Sequence, residues 1–185
     1  VLARALQDSE RRAGFMLRLG DALRGQADPV AIEGDACRML AEWLDVDRAY
    51  YAEIDETQGT ADVARDVSYG GAGSLAGTHR VGDFAWSVAI LRTGRCHVID
   101  DTRTSPLVPE AARAASSALG IAACVCTPLI RHGRLVGALC VASATPRRWS
   151  EHEVELVREA GERLWAAVER ARAEAALRAS EARFR

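Results

Sequence analysis

Five cysteines and four histidines carry most of the chemistry this sequence has to offer. Cys124 and Cys126 stand two apart, so on a strand their thiols share one face, and Cys140 falls in the next apolar segment. Three thiolates on neighbouring strands begin a metal site. A closed zinc site needs four ligands, however, and neither segment supplies a His or an acid. Reduced thiols packed in a core are therefore the reading, and no metal site is expected. His97 alternates with Val98 at the start of a short strand and reads as half exposed. His132, followed by Gly133, reads as a turn residue, and His152 as a residue of a helix's first turn. His79 lies in a glycine-rich stretch shortly before Phe84 and Trp86 and is the histidine with plausible pocket neighbours.

The acid pairs Asp100-Asp101 and Glu53/Asp55 sit at strand ends beside turns, where Asp serves local hydrogen bonding. No Ser-His-Asp or Cys-His arrangement emerges, so no catalytic residue is expected. Gly71-x-Gly73-x-x-Ala76 matches the loose form of a dinucleotide loop, but Gly77 and Gly82 follow where a helix would have to open. It reads as a mobile loop.

The elements that must position these groups fall into three stretches. Residues 1–27 form a helix whose apolar stripe is Leu2, Leu6, Ala13, Met16 and Leu23. Residues 150–185 form a second helix with a heptad seam that includes Val157, Leu164, Val168 and Ala171. Ser150 and Glu153 make a capping box at its start. Both helices stop in mid-pattern, which suggests a piece of a longer protein.

Residues 28–149 are mixed. Asp28-Pro29 opens a helix burying Ala36, Cys37, Leu40, Ala41 and Leu44. Strands are expected over 48–54, 62–69, 96–99, 122–130 and 135–143, with short helices over 84–92 and 110–119 and a flexible loop over 70–82. The last strand is apolar on both faces, so it must be central and covered on both sides.

The composition sets outer limits. The chain has 185 residues, a net charge of −2, 49% hydrophobic residues and 27% charged ones, as expected of a folded globular chain. A general nucleic-acid binder would need more positive charge. All 24 basic residues are Arg, and with no Lys and no Asn any mechanism needing a Lys amine or an Asn amide is excluded. The longest apolar run, Ala118 to Cys126, is nine residues, about half a bilayer span. A cytoplasmic location is expected.

The order of parts resembles a GAF domain. The resemblance rests on Asp45-Val46-Asp47-Arg48-Ala49-Tyr50-Tyr51, on Thr93-Gly94-Arg95-Cys96-His97-Val98-Ile99-Asp100-Asp101, and on Thr127-Pro128-Leu129-Ile130 through Gly133-Arg134-Leu135-Val136-Gly137-Ala138-Leu139. It implies an α+β fold, GAF/PAS-like. A central antiparallel sheet of five to six strands carries the long terminal helices on one face, with short helices and a loop over the other. A pocket in that second layer would draw on Tyr50, Tyr69, His79, Phe84, Trp86 and Cys96.

Departures from the family narrow the ligand. Bilin-carrying GAF domains place a Cys-His pair before the hairpin, and the matching positions are Ala111 and Ala112, which argues against covalent bilin. The cyclic-nucleotide signature needs Asn and Lys, which are absent. The cysteines of the sulfoxide-reducing GAF enzymes correspond to Ser87 and Glu110. The cofactor stays unknown.

Residues 165–178 resemble the helical linker of bacterial multi-sensor histidine kinases, and Ser180-Glu181-Ala182-Arg183-Phe184-Arg185 the opening of a PAS domain. The function expected is thus a sensory or relay module of a two-component histidine kinase. It would be non-enzymatic in itself, sensing a small molecule and dimerising in parallel through its terminal helices. Adjacent PAS and kinase domains are the expected partners, with no nucleic acid and no membrane span. A ligand-free dimerisation spacer is the alternative, and a haem- or metal-binding redox sensor a lesser one.

Overall fold

A computed structural model describes residues 2–71 and 73–183, with side chains from Leu6 onward. Leu2, Phe184 and Arg185 of the readings above therefore lie wholly or in their side chains outside the described residues. The chain runs α1 (Leu2–Arg24), α2 (Pro29–Leu44), β1 (Arg48–Asp55), β2 (Thr60–Val63), β3 (Asp66–Ser68), β4 (Gly77–Arg80), a 3₁₀ turn (Val81–Phe84), α3 (Ala85–Leu91), β5 (His97–Ile99), α4 (Glu110–Ala118), β6 (Ala123–Arg131), β7 (Arg134–Ser143) and α5 (Glu151–Arg183).

All pairings are antiparallel, in the order β4-β2-β1-β7-β6-β5, with β3 also on β1. The α+β architecture is as expected. Two details differ. Residues 62–69 are two strands, not one: β2 pairs with the far end of β1 and β3 with its start, the chain breaking register at Ala64-Arg65. The glycine-rich stretch contains β4, whose backbone closes the sheet edge beside β2.

Local chemistry explains the element ends. Asp28 accepts a hydrogen bond from Val30 N at 3.1 Å ahead of Pro29. Asp45, with φ of 52°, turns the chain out of α2. His132 and Gly133 both adopt positive φ, 52° and 72°, and join β6 to β7 as a tight hairpin. At α5, Glu153 N donates to Ser150 Oγ at 3.2 Å while Ser150 N donates to Glu153 Oε2 at 2.8 Å, the reciprocal box.

Strand alternation makes two cores. On one face α1, α2 and α5 cover Ala49 and Tyr51 of β1, Val125 and Leu129 of β6, and Leu139 and Val141 of β7. The other face of the same strands presents Tyr50, Cys126, Ala138 and Cys140 toward α3 and the 3₁₀ turn. Cys124 and Ala142 meet Trp86, Val108 and Ala112 beside them. Helix α5 lies close on the first face: a methyl added at Gly161 would already touch Leu139 and Thr127 at 3.5 Å.

The apolar seam assigned to dimerisation is largely absorbed by this core. Met16, Leu23, Val157, Leu164, Val168 and Ala171 are each 3% exposed or less within a single chain. The period that suits a partner helix equally suits the chain's own sheet. On α1 the buried face is Phe15, Met16, Leu19 and Leu23, which leaves Ala13 and Leu6 outside it. No helix among the described residues is long and apolar enough to cross a membrane.

Candidate functional site: a cavity under the glycine-rich loop

Between the second sheet face and the short helices lies a cavity of about 500 Å³, in the usual range for small-molecule sites, about 300–1,000 Å³. Its floor is β1 through Tyr50, Ala52 and Ile54, β7 through Ala138, Cys140 and Ala142, and β6 through Cys124 and Cys126. Its roof is α3 with Trp86 and Ser87, preceded by Phe84, and α4 with Ala111, Ala112 and Ala115. Leu75 and His79 close one side.

Of the six expected pocket residues, Tyr50, His79, Phe84 and Trp86 do line the cavity. Tyr69 does not: it falls just past β3, 45% exposed, because the register break turns the chain away. Cys96 does not either. It stands one residue before His97, so alternation sends its side chain to the opposite face, where Glu155 and Arg158 of α5 are its nearest charges. Burial pushes its thiol up.

What the sequence reading missed is His97. It is 3% exposed, not half exposed, because β5 pairs with β6 and sets it directly opposite Cys126. Ser87 Oγ lies 2.8 Å from His97 Nε2, and Trp86 tilts over the imidazole at 5.4 Å between centroids. Cys126 in turn opposes Cys140, and Cys140 opposes Tyr50. Four strands thus lay His97, Cys126, Cys140 and Tyr50 in one row across the floor, with Cys124 beside it.

The electrostatics of the floor follow from that row. The Tyr50 phenol is pushed well above its ordinary value, by burial first and then by the three neighbouring thiols. Cys124 is pulled down to about 6, chiefly by a hydrogen bond from Cys126 and then by His97, against its own burial. Cys126 moves the opposite way, raised by burial and by the same bond.

His79 is fixed differently. Its Nε2 donates to the Leu75 carbonyl at 2.6 Å and its ring meets Phe84 edge-on at 6.1 Å. Leu75 is itself held by a buried clamp. Arg48 Nη1 donates to Asp66 Oδ2 at 2.6 Å, Arg48 Nη2 to the Gly73 carbonyl at 2.6 Å, and Leu75 N to Asp66 Oδ2 at 2.8 Å.

At the two positions matched to the bilin-carrying Cys-His pair, α4 presents the methyl groups of Ala111 and Ala112 to the cavity. Among the described lining residues none is Arg, and the polar groups are imidazoles, hydroxyls, thiols and the exposed Asp83 at the rim.

The sequence pattern of the GAF domain family matches residues 28–168. Comparison with curated proteins gives no match. Among solved structures, the phycoerythrobilin-bound GAF domain of a cyanobacterial phytochrome is similar in fold. It has a TM-score of 0.74 at 19% identity, covering 88% of this chain and 97% of that one. The blue-light absorbing form of the Thermosynechococcus elongatus PixJ GAF domain gives 0.66 at 20% identity, over 82% of this chain and 92% of the other. The chromophore-binding domain of the bacteriophytochrome RpBphP3 from R. palustris gives 0.73 at 17% identity, over 88% and 63%. At such identities the likeness is one of fold.

Proposed function

The chain belongs to the GAF domain family, and we propose that its cavity takes an uncharged, mainly apolar small molecule and passes the event through the sheet to the helices behind it. One observation carries this reading: the same strands serve both layers. Ala138, Cys140 and Ala142 floor the cavity, while Leu139 and Val141 between them pack beneath the helices. A ligand that shifts β7 necessarily shifts the surface on which α5 rests, because close-packed interiors do not absorb displacement. That no Arg stands among the described lining residues supports an uncharged ligand, since a phosphate or carboxylate in such a wall would be desolvated without a partner.

A neutral, environment-sensitive fluorophore such as N-phenyl-1-naphthylamine tests the cavity. It is expected to bind once per chain and to quench Trp86. Ala112→Trp, filling the space from α4, should weaken binding at least about tenfold, which corresponds to about 1.4 kcal/mol. Binding unaffected by Ala112→Trp would place the probe elsewhere and remove the reading.

For the output we propose a parallel homodimer within a multi-sensor histidine kinase, in which this module is not itself catalytic. The likeness of residues 165–178 to kinase linkers supports such a host, with PAS and kinase domains as neighbours. Since the buried seam serves the chain's own core, a second copy would cover other side chains: Leu6 and Leu17 on the outer side of α1, 62% and 65% exposed, and Leu177 on α5, 60% exposed. Burying a leucine contributes about 1.5–3 kcal/mol. Leu17→Glu is therefore expected to raise the dimer dissociation constant more than about tenfold in sedimentation equilibrium. A wild-type chain that sediments as a monomer at tens of micromolar would eliminate the dimer.

A further inference from the structure

We propose that the cavity floor is a binding site for a soft, tetrahedral metal ion of the zinc class, held by His97, Cys124 and Cys126, with Cys140 closing the fourth corner. One imidazole nitrogen and the two sulfurs already lie within 4.8 Å of one another, and all three residues are buried. Cys140 is 4% exposed and directly opposite Cys126 on the adjoining strand, on the same face. Thiolates on a tetrahedral zinc stand about 3.7 Å apart, given Zn–S of about 2.3 Å. Bringing those three atoms to that spacing asks for about an ångström of side-chain movement, and Cys140, outside the 4.8 Å group, has further to come.

His97 points independently to a ligand. It is 97% buried by its 3% exposure, and its Nδ1 makes no hydrogen bond. Ser87 Oγ on Nε2 orients the imidazole, and in the tautomer in which Nε2–H donates outward to the hydroxyl, Nδ1 keeps its lone pair for a metal. Metal-bound histidines are held in this way, by a polar group on the nitrogen that does not ligate. A buried imidazole nitrogen left without a partner costs stability, and a metal ion removes that cost. Sulfur and imidazole donors select zinc or Cu(I) over magnesium or calcium.

Although the ion would share the cavity with the organic ligand, the two readings fail separately. The fluorophore reports the cavity's volume whether or not metal binds, and metal binding does not require the cavity to admit an organic molecule.

The reduced chain, titrated anaerobically with Co²⁺, is expected to bind one equivalent. A thiolate-to-cobalt charge-transfer band and tetrahedral d–d bands should appear, and Zn²⁺ should displace both. Cys124→Ser should abolish the charge-transfer intensity from that sulfur and lower affinity more than a hundredfold. Ser87→Ala, which leaves all sulfur ligands in place, should lower affinity about 10–100-fold. Cys37→Ser, on the opposite face of the sheet, should change nothing. Alkylation of the unmodified chain serves if Cys124→Ser does not fold: Zn²⁺ should slow labelling of Cys124 and Cys126 but not of Cys96. Absence of a stoichiometric thiolate band, an undiminished band and unchanged affinity in Cys124→Ser, or equal protection of Cys96 would each overturn the proposal.

Discussion

Arg48→Met is expected to lower the unfolding free energy by about 3–5 kcal/mol, the range for removing one member of a buried ion pair. Both side chains of the Arg48–Asp66 pair are 1% exposed, so the substitution strands a carboxylate away from water. It also frees the Gly73 carbonyl, and the remaining bond from Leu75 N to Asp66 cannot by itself neutralise the charge. Urea denaturation would read the loss, and amide exchange over residues 73–79 would localise it. The loop carries Leu75 and, through its carbonyl, His79, so the fluorophore should bind more weakly as well. Asp66→Leu added to Arg48→Met is expected to restore part of the stability, because the uncompensated charge is gone. A single-variant loss under about 1 kcal/mol would mean that the clamp is solvated and the loop is held by other contacts.

The second large effect is a dependence on pH. Glu33, on α2 and 2% exposed, is pushed up to about 8, first by burial, then by a shared hydrogen bond and charge repulsion from Glu53. Arg172 of α5 pairs with Glu53 and pulls the other way, while Asp28 adds repulsion. Glu33 is thus protonated in the folded chain at neutral pH and ionised once the chain unfolds. Its contribution is fully present below the unfolded value of about 4.5 and is lost as pH rises through about 8. Melting temperature should therefore fall between pH 5 and pH 8.5, in the opposite sense to a salt-bridged carboxylate. Glu33→Gln keeps a donor for Glu53 and removes the titration. It should flatten the profile and be more stable than wild type at pH 8.5 by about 2 kcal/mol. A wild-type melting temperature that rises over this window would show Glu33 already ionised in the fold.

Most of the frame was legible because it rests on short-range rules. Asp28-Pro29, the Ser150/Glu153 box and His132-Gly133 each fix an element end through neighbours within four residues. The double-sided apolar run of β7 called for cover on both faces, and it has it. The site was only half legible. Period two tells which residues share a face but not which strand lies alongside, and the pairing of β5 with β6 joins segments more than twenty residues apart. His97 therefore stayed separate from Cys124 and Cys126 in the sequence. A signal was present: Ile99 shares its face, and an isoleucine on a three-residue strand marks the buried side. Cys96 missed the cavity by the one position that reverses a strand's face. Tyr69 missed it because a two-residue break between β2 and β3 leaves no mark in composition. The heptad seam was ambiguous for another reason, since a helix on its own sheet and a helix on a twin show the same period.

The shared strands also carry a consequence for the proteins around this module. When two surfaces are opposite sides of one sheet, influence between them runs equally in both directions. If occupancy of the cavity changes how firmly α5 is held by some factor, then whatever grips or releases α5 must change the cavity's affinity by that same factor. At the usual scale of such couplings, about 1–3 kcal/mol, this is a 5–150-fold adjustment. On the reading proposed here, the affinity of the module is then no fixed constant of its sequence. It is set in part by what is attached to the far end of a helix about 50 Å long, given 33 residues at 1.5 Å each. The same cavity could thus be tuned to different concentrations in different hosts without a change to any residue that lines it.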